Sequence, residues 1–197
     1  MPLVPTVTLS KYDGKESKDI FSLLLEERII LLNEEINDAT TSIIIAELLY
    51  LNAQDDKAPI TMYINSPGGS VHSGLAIYDI MNKIESPVIT IGIGLCASMG
   101  AFLLSSGTKG KRYALENTEI MIHQPLGGSK GQVSDIEIMT KRYIYLKDKL
   151  NEILAKNTNQ SIKKIASDTD RDYFMSAYEA KKYGLIDEVI SLSDSLK

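Results

Sequence analysis

Two histidines, His72 and His123, are the only imidazoles in this chain of 197 residues. Histidine is the commonest general base near neutral pH, so serine-based nucleophilic chemistry here must recruit one of them. Ser98 is the serine whose surroundings suit that chemistry. It follows the apolar β-branched run Val88 to Ile93 and precedes Met99-Gly-Ala-Phe-Leu-Leu104, where a strand hands over to a helix. A hydroxyl at such a junction can be held clear of a sheet for attack on an acyl group. Taken alone, however, Gly94, Ala97, Ser98 and Gly100 read more simply as small residues that let a helix pack closely on a strand.

The partners decide between these readings. His123 stands just past the end of a short strand over Thr118 to Ile122 and before Gln124-Pro125, so its ring can be held at the sheet edge beside Ser98. His72 falls in the first turn of a helix and is the lesser candidate. An imidazole base needs a carboxylate to hold its tautomer, and Asp168, Asp170 and Asp172 each offer one. Asp172 is nearest an apolar segment, but spacing leaves the three open. A tetrahedral intermediate needs backbone N–H donors. The turn Asn65-Ser-Pro-Gly-Gly-Ser70 permits the backbone that a donor loop requires, and the amides of Gly69 and Met99 are the candidates. Position 96 is cysteine and the chain order is Ser, His, Asp, so this is not the G-x-S-x-G elbow of α/β-hydrolases.

Nucleotide binding is the rival reading, because Gly92-Ile-Gly-Leu-Cys-Ala97 satisfies G-x-G-x-x-A after a strand, with Glu116 near the distance of a ribose-binding acid. It falls in mid-chain and leaves the Gly68-Gly69 turn and His123 without a role. No phosphate loop of the G-x-x-x-x-G-K-[ST] kind occurs, and two lone histidines do not make a metal site.

The elements that must position these residues alternate. Residues 1–18 carry no sustained period and read as a mobile arm or loop. Asp19 caps a short helix over Ile20 to Glu27, Arg28 to Leu32 is a strand, and Asp38 caps a helix over Ala39 to Asn52 held by burial of Ile43, Ala46, Leu51 and their neighbours. A strand over Ile60 to Ile64, a helix over Val71 to Lys83 and the strand Val88 to Ile93 form βαβ units, which place both Gly-rich turns at the C-terminal edge of a mostly parallel sheet. Short strands over Lys111 to Leu115 and Thr118 to Ile122 precede a long helix, about 133–157, with an apolar stripe of Ile136, Met139, Tyr143, Leu146, Leu150 and Ile153. That helix either crosses the core or projects to meet a partner. A short helix over Ser161 to Ser167, a helix opened by the Ser176/Glu179 capping box and closed at Gly184, and a last strand over Leu185 to Ile190 complete one domain over 19–197.

Composition narrows the class. With 44% hydrophobic and 24% charged residues the chain suits one soluble domain. A net charge of -5 and scattered Lys and Arg give no footprint for nucleic acid. The single cysteine, Cys96, excludes an internal disulfide and fits a reducing compartment. No signal-like segment and no run near the ~20 apolar residues of a membrane span occur, so a cytoplasmic protein without membrane contact is expected.

The stretches Tyr63-Ile-Asn-Ser-Pro-Gly-Gly-Ser70, Ala97-Ser-Met-Gly-Ala-Phe-Leu-Leu104, Lys109-Gly-Lys-Arg-Tyr-Ala114, Met121-Ile-His-Gln-Pro-Leu-Gly-Gly128 and Asp168-Thr-Asp-Arg-Asp172 resemble, in order, the proteolytic subunit of the bacterial ATP-dependent Clp protease. The match runs from about residue 19 to 190. The resemblance implies an α/β fold of the ClpP/crotonase type, with repeated β-β-α and βαβ units, a mostly parallel sheet and the long helix as a projecting handle. It implies Ser98, His123 and Asp172 as catalytic triad and the Gly69 and Met99 amides as oxyanion hole. Asp170 and Arg171 match positions that couple ring-ring contact to triad alignment. Two seven-membered rings would stack into a 14-mer, joined through the long helix and residues 125–133. A hexameric Clp ATPase would feed it unfolded polypeptides, so this chain needs no cofactor and ATP is used by the partner. Leu49, Tyr63, Ile91, Tyr113 and Ile190 suit a pocket for an ATPase loop. Thr61 and Lys83 stand where the family carries an aromatic residue, and Lys18 and Leu23 replace its usual Tyr and Arg. Those departures suggest a paralogue working in a mixed assembly.

The expected activity is thus that of a self-compartmentalised serine endopeptidase. The alternative is a ring subunit that scaffolds or regulates an active paralogue. A crotonase-like acyl-CoA enzyme is disfavoured because it gives Ser98, His123 and Asp172 no joint purpose. Cys96, two residues from Ser98, is either a buried small apolar substitute or a redox-sensitive thiol.

Overall fold

The computed structural model describes residues 4–11, 14–191 and 193. Nine strands and seven helices follow in chain order among these residues. Strands β1 (Thr6–Lys11) and β2 (Gly14–Asp19) pair antiparallel, from Thr6↔Asp19 to Lys11↔Gly14, so the segment expected as an arm or loop contains a hairpin. Strand β1 alternates only through Val7 and Leu9, and β2 holds no apolar residue that would signal its partner strand. Residues 1–3 and 12–13 of that arm, and residues 192 and 194–197 of the polar tail, lie outside the described residues.

Helix α1 (Ile20–Glu26) is capped as expected by Asp19, whose carboxylate accepts from the Phe21 and Ser22 amides. Strand β3 (Ile29–Leu32) follows. Helix α2 (Asp38–Gln54) is capped by Asn37, not by Asp38. Asn37 Oδ1 takes the Ala39 and Thr40 amides, and Asp38, freed from capping, accepts a hydrogen bond from Ser73 Oγ at 2.8 Å. The buried face of α2 differs in part from the expected one: Leu51 is buried as expected, together with Ile44 and Leu48, while Ile43 is 57% exposed and Ala46 is exposed. Three consecutive isoleucines give no phase to the helical period, so sequence alone places the face one residue out.

Strands β4 (Ile60–Ser66) and β5 (Val88–Ala97), β6 (Arg112–Leu115) and β9 (Glu188–Ile190) extend the sheet in the order β3-β4-β5-β6-β9, all parallel. Strand β5 runs four residues further than its apolar run suggests. Its first part pairs β6 through Thr90, Ile91 and Gly92, and its last part pairs β7 (Glu119–Ile122) through Leu95, Cys96 and Ala97. The sheet therefore forks along one strand. The G-x-G-x-x-A pattern lies wholly inside this strand, so it forms no phosphate-binding turn between strand and helix. Strand β8 (Tyr173–Ser176) pairs β7 antiparallel, and was hidden in the sequence by the preceding charge cluster.

Helices α3 (Val71–Lys83) and α4 (Met99–Ser105) pack on this sheet, and every residue of α4 is buried. Helix α5 (Val133–Thr158) divides into two halves. Leu146, Leu150, Leu154 and Ala155 join the core, whereas Val133, Ile138, Ile144 and Tyr145 are exposed. The C-terminal half thus joins the core, and the N-terminal half leaves apolar side chains exposed. Helices α6 (Ile162–Asp168) and α7 (Ala177–Tyr183) close the domain, α7 with the expected capping box and Gly184 in the left-handed region.

Candidate active site

Ser98 joins β5 to α4 with φ 54 and ψ -120, a backbone conformation that a residue with a side chain rarely adopts. Its N–H donates to Met121 O at 2.8 Å and its carbonyl accepts from Phe102 N, so both neighbours hold the strained turn in place. A sharp strand-to-helix turn with Ser98 at its apex thus forms without the G-x-S-x-G sequence. The glycine that makes room for it comes from another segment: a Cβ built on Gly68 would stand 2.6 Å from Ser98 Cβ and 2.8 Å from Ala97 O. On the other side of the elbow, a Cβ on Gly100 would lie 2.7 Å from Ser66 O, which keeps for that glycine its packing role.

The 67–70 turn is held by the segment after β3. Ile36 N–H donates to Gly68 O and Ile36 O accepts from Ser70 N, both at 2.8 Å, while Ser66 Oγ takes the Gly68 amide. Gly68 and Gly69 have φ of 95 and 146, and a Cβ on Gly69 would meet Ile36 O at 2.2 Å. The bracket consumes the amides of Gly68 and Ser70 but not that of Gly69. Met99 N–H belongs to the first turn of α4, whose amides have no helical acceptor.

His123 follows β7 directly. The β7–β8 ladder ends at Ile122↔Tyr173, and one further step of the same register sets His123 opposite Asp172. Their side chains meet: His123 Nδ1 and Asp172 Oδ1 are 2.8 Å apart. The side chain of His123 is 11% exposed and that of Asp172 58%. The other two aspartates are engaged elsewhere. Asp168 accepts from Lys164 Nζ and Tyr183 Oη at 2.7 Å; burial opposes its ionisation, but these two donors outweigh it and hold the carboxyl below its ordinary value. Asp170 accepts from Gln124 Nε2 through its backbone carbonyl at 2.8 Å and pairs with Arg171 at 3.3 Å.

Gln124 is a residue that the sequence reading passed over. Its backbone N–H donates to Thr169 O at 2.6 Å and its side chain to Asp170, so the residue after His123 is sewn to the segment that carries Asp172. Only its adjacency to His123 marked it. His72 lies exposed in the first turn of α3 and is not among the residues that line the cleft of Ser98 and His123.

Ser98 and His123 line one cleft of about 390 Å³, with Pro67, Gly68, Gly69 and Leu126 among its walls. Among the described residues the Ser98 hydroxyl makes no hydrogen bond. In enzymes without bound substrate such contacts are commonly long and tighten on binding. Cys96 is buried, and its Sγ contacts Ile64 O at 3.1 Å. Burial pushes its thiol up to about 12, which suits a small apolar filler and not a reactive thiolate.

A family model described as Clp protease matches residues 12–193. The chain belongs to the Clp protease family. Its mixed α/β architecture with a mostly parallel sheet is the ClpP/crotonase-type fold, and family membership makes it a Clp-type peptidase subunit, a hydrolase of the serine peptidase class. No described helix is long and apolar enough to cross a membrane. The described residues hold no cluster of three or more His, Cys, Asp or Glu suited to a metal ion.

The residues matched to ATPase docking are partly brought together. Tyr63 pairs Ile91 and Ile91 pairs Tyr113, forming one cross-strand row on one face; Ile190 pairs Leu115, the next residue on that face. Leu49 lies apart on α2, 47% exposed. Thr61, two residues before Tyr63 on β4, continues the row as a polar residue.

Proposed function

We propose that this subunit hydrolyses peptide bonds through a Ser98-His123-Asp172 triad. The observation that carries the reading is the 2.8 Å contact of Asp172 with His123 Nδ1, which leaves Nε2 as the ring nitrogen available to a serine on the same cleft. Ser98 Oγ attacks the scissile carbonyl as its proton passes to His123 Nε2. Asp172 holds the imidazole through Nδ1–H and stabilises the imidazolium. The oxyanion is received by the Gly69 and Met99 amides. The imidazolium then protonates the leaving amine, the C–N bond breaks, and an acyl-Ser98 ester remains. Water, deprotonated by His123, attacks that ester, and the returning proton restores the Ser98 hydroxyl. Hydrolysis of a short fluorogenic peptide tests the scheme: Ser98→Ala and His123→Ala each abolish turnover, and the double variant is no worse than either single one, because the residues act as a unit.

The peptidase works as an enclosed barrel of two seven-membered rings in the cytoplasm, supplied with unfolded polypeptide by a hexameric Clp ATPase, and it binds no nucleotide or cofactor itself. Support for assembly comes from the exposed apolar half of α5 and from Leu126, which is 82% exposed beside the cleft. Asp170 and Arg171, exposed next to Asp172, couple ring contact to triad alignment. The apolar row Tyr63, Ile91 and Tyr113, with Ile190 and Leu49 at its margins, receives an ATPase loop.

A second reading, a ring subunit that depends on a paralogue for its activity, is favoured by the 58% exposure of Asp172, which leaves the orienting carboxylate open to water in the single chain. Peptidase assays of pure rings before and after addition of a paralogous subunit separate the two readings.

A further inference from the structure

We infer that Asn65 is a positioning residue for Ser98: its side-chain amide holds open the bulge in β5 that delivers the serine to the end of β7. The inference rests on the serine peptidase reading of the site. Strands β4 and β5 run in step from Ile60↔Val88 to Ile64↔Gly92, but their next pair is Ser66↔Cys96. Ile93, Gly94 and Leu95 therefore leave the β4 ladder, opposite the single residue Asn65. Bulges of this kind re-aim the strand that follows them and need a substitute partner for each amide they strand.

Asn65 supplies that substitute. Its Oδ1 accepts the Leu95 N–H at 3.1 Å, and its Nδ2 donates to Asn33 Oδ1 at 2.7 Å. Gly94 turns the chain with φ 59, and a Cβ there would stand 2.8 Å from Asn65 Oδ1, so the carboxamide fills the space that a side chain at 94 would occupy. Beyond the bulge, Leu95, Cys96 and Ala97 change partners to Glu119, Ile120 and Met121, and Ser98 N–H reaches Met121 O. That transfer brings Ser98 alongside the strand that ends at His123. A slip of one residue in this stretch would turn successive side chains to the opposite face. The far end of the carboxamide acts on the other half of the site. Asn33 leads into the segment whose Glu34 O accepts from Ser66 Oγ at 2.6 Å and whose Ile36 brackets the Gly68-Gly69 turn. One side chain thus ties the nucleophile's strand to the backing of the donor loop.

The test uses the assembled protein and two variants. Asn65→Leu keeps the shape and loses both hydrogen bonds. Asn65→Asp keeps the acceptor for Leu95, and the Asn33 amide can turn to offer it a donor. Steady-state kinetics on a short peptide are measured together with the second-order rate of Ser98 labelling by a fluorophosphonate. Asn65→Leu is expected to lower kcat and the labelling rate by about ten- to a hundredfold with KM within about twofold, and Asn65→Asp to stay within about threefold of the parent. Support for the fold alone would not produce that split between kcat and KM or the rescue by aspartate. Should Asn65→Leu fail to fold, Asn33→Ala, which unties only the far end, must lower kcat several-fold at constant KM. Parental labelling and kcat in Asn65→Leu, or in Asn33→Ala where it stands in, overturn the inference, as does an Asn65→Asp variant as slow as Asn65→Leu. A parent protein whose Ser98 takes no label overturns the peptidase reading and this inference with it.

Discussion

Gly68 lies against Ser98 so closely that a side-chain carbon on it would stand 2.6 Å from Ser98 Cβ and 3.0 Å from Met99 N. No side chain fits between the 67–70 turn and Ser98, and the φ of 95 at Gly68 opposes one independently. Two sequence-distant segments therefore make a single surface. Gly68→Ala is expected to reduce kcat/KM for a peptide by about a hundredfold or more, because a shift of even 1 Å in the elbow misplaces both hydroxyl and oxyanion donor. Peptide kinetics on the folded variant check this.

The β7–β8 register sets Asp172 beside His123, and Asp168 belongs to a different cluster. Asp172→Asn should lower kcat by about 10³- to 10⁴-fold with little change in KM, since the amide holds the imidazole in the wrong tautomer. Asp168→Asn, which touches only the Lys164 and Tyr183 contacts, should leave kcat within about twofold.

The aspartate assignment marks the limit of what spacing conveys. The helices over 71–83 and 133–158 and the Gly68-Gly69 turn after β4 were legible because helical period and a glycine cluster each point one way, whereas the second Gly-rich stretch, Gly92 to Ala97, lies inside β5. Strand β8 was not legible, since Asp170, Arg171 and Asp172 mask a short strand whose only buried residue is Met175. The hairpin of β1 and β2 was missed because β2, Gly-Lys-Glu-Ser-Lys-Asp, has no apolar residue, so the short Val7 and Leu9 alternation of β1 finds no matching strand in the sequence. The fork of β5 depends on one positive-φ glycine and one side-chain amide, a tertiary device with no periodic trace. Asp172 as the partner of His123 followed from family resemblance and not from spacing.

Arg112, 5% exposed, forms a two-pronged pair with Asp187 at 2.9 and 2.6 Å and also donates to Ser105 O and Asn157 O. Burial disfavours the ionised Asp187, yet the guanidinium and the Arg112 backbone N–H outweigh it and hold the carboxyl below its ordinary value. A lowered folded value means that the pair's contribution is complete above the unfolded aspartate range and is lost as pH falls below about 4. Asp187→Asn should cost roughly 3 kcal/mol at neutral pH by urea unfolding, leaving a buried cation half-paired. The gap between variant and parent should narrow below about pH 4.

Cys96 is fully buried and its thiol is raised to about 12. Native protein should resist alkylation by iodoacetamide at pH 8 over hours, whereas unfolded protein reacts. Cys96→Ala should keep peptidase activity while losing about 1 kcal/mol of stability from the vacated volume. Mild peroxide should leave activity of parent and variant alike.

Covalent labelling of Ser98 reads the catalytic assignment at the reacting atom. A fluorophosphonate attacked by an activated serine leaves a stable adduct on that residue alone, which peptide mapping by mass spectrometry locates. The triad predicts a single adduct on Ser98, absent in Ser98→Ala and slowed by about 10³-fold or more in His123→Ala. An adduct on another serine, or labelling that persists in Ser98→Ala, would contradict it.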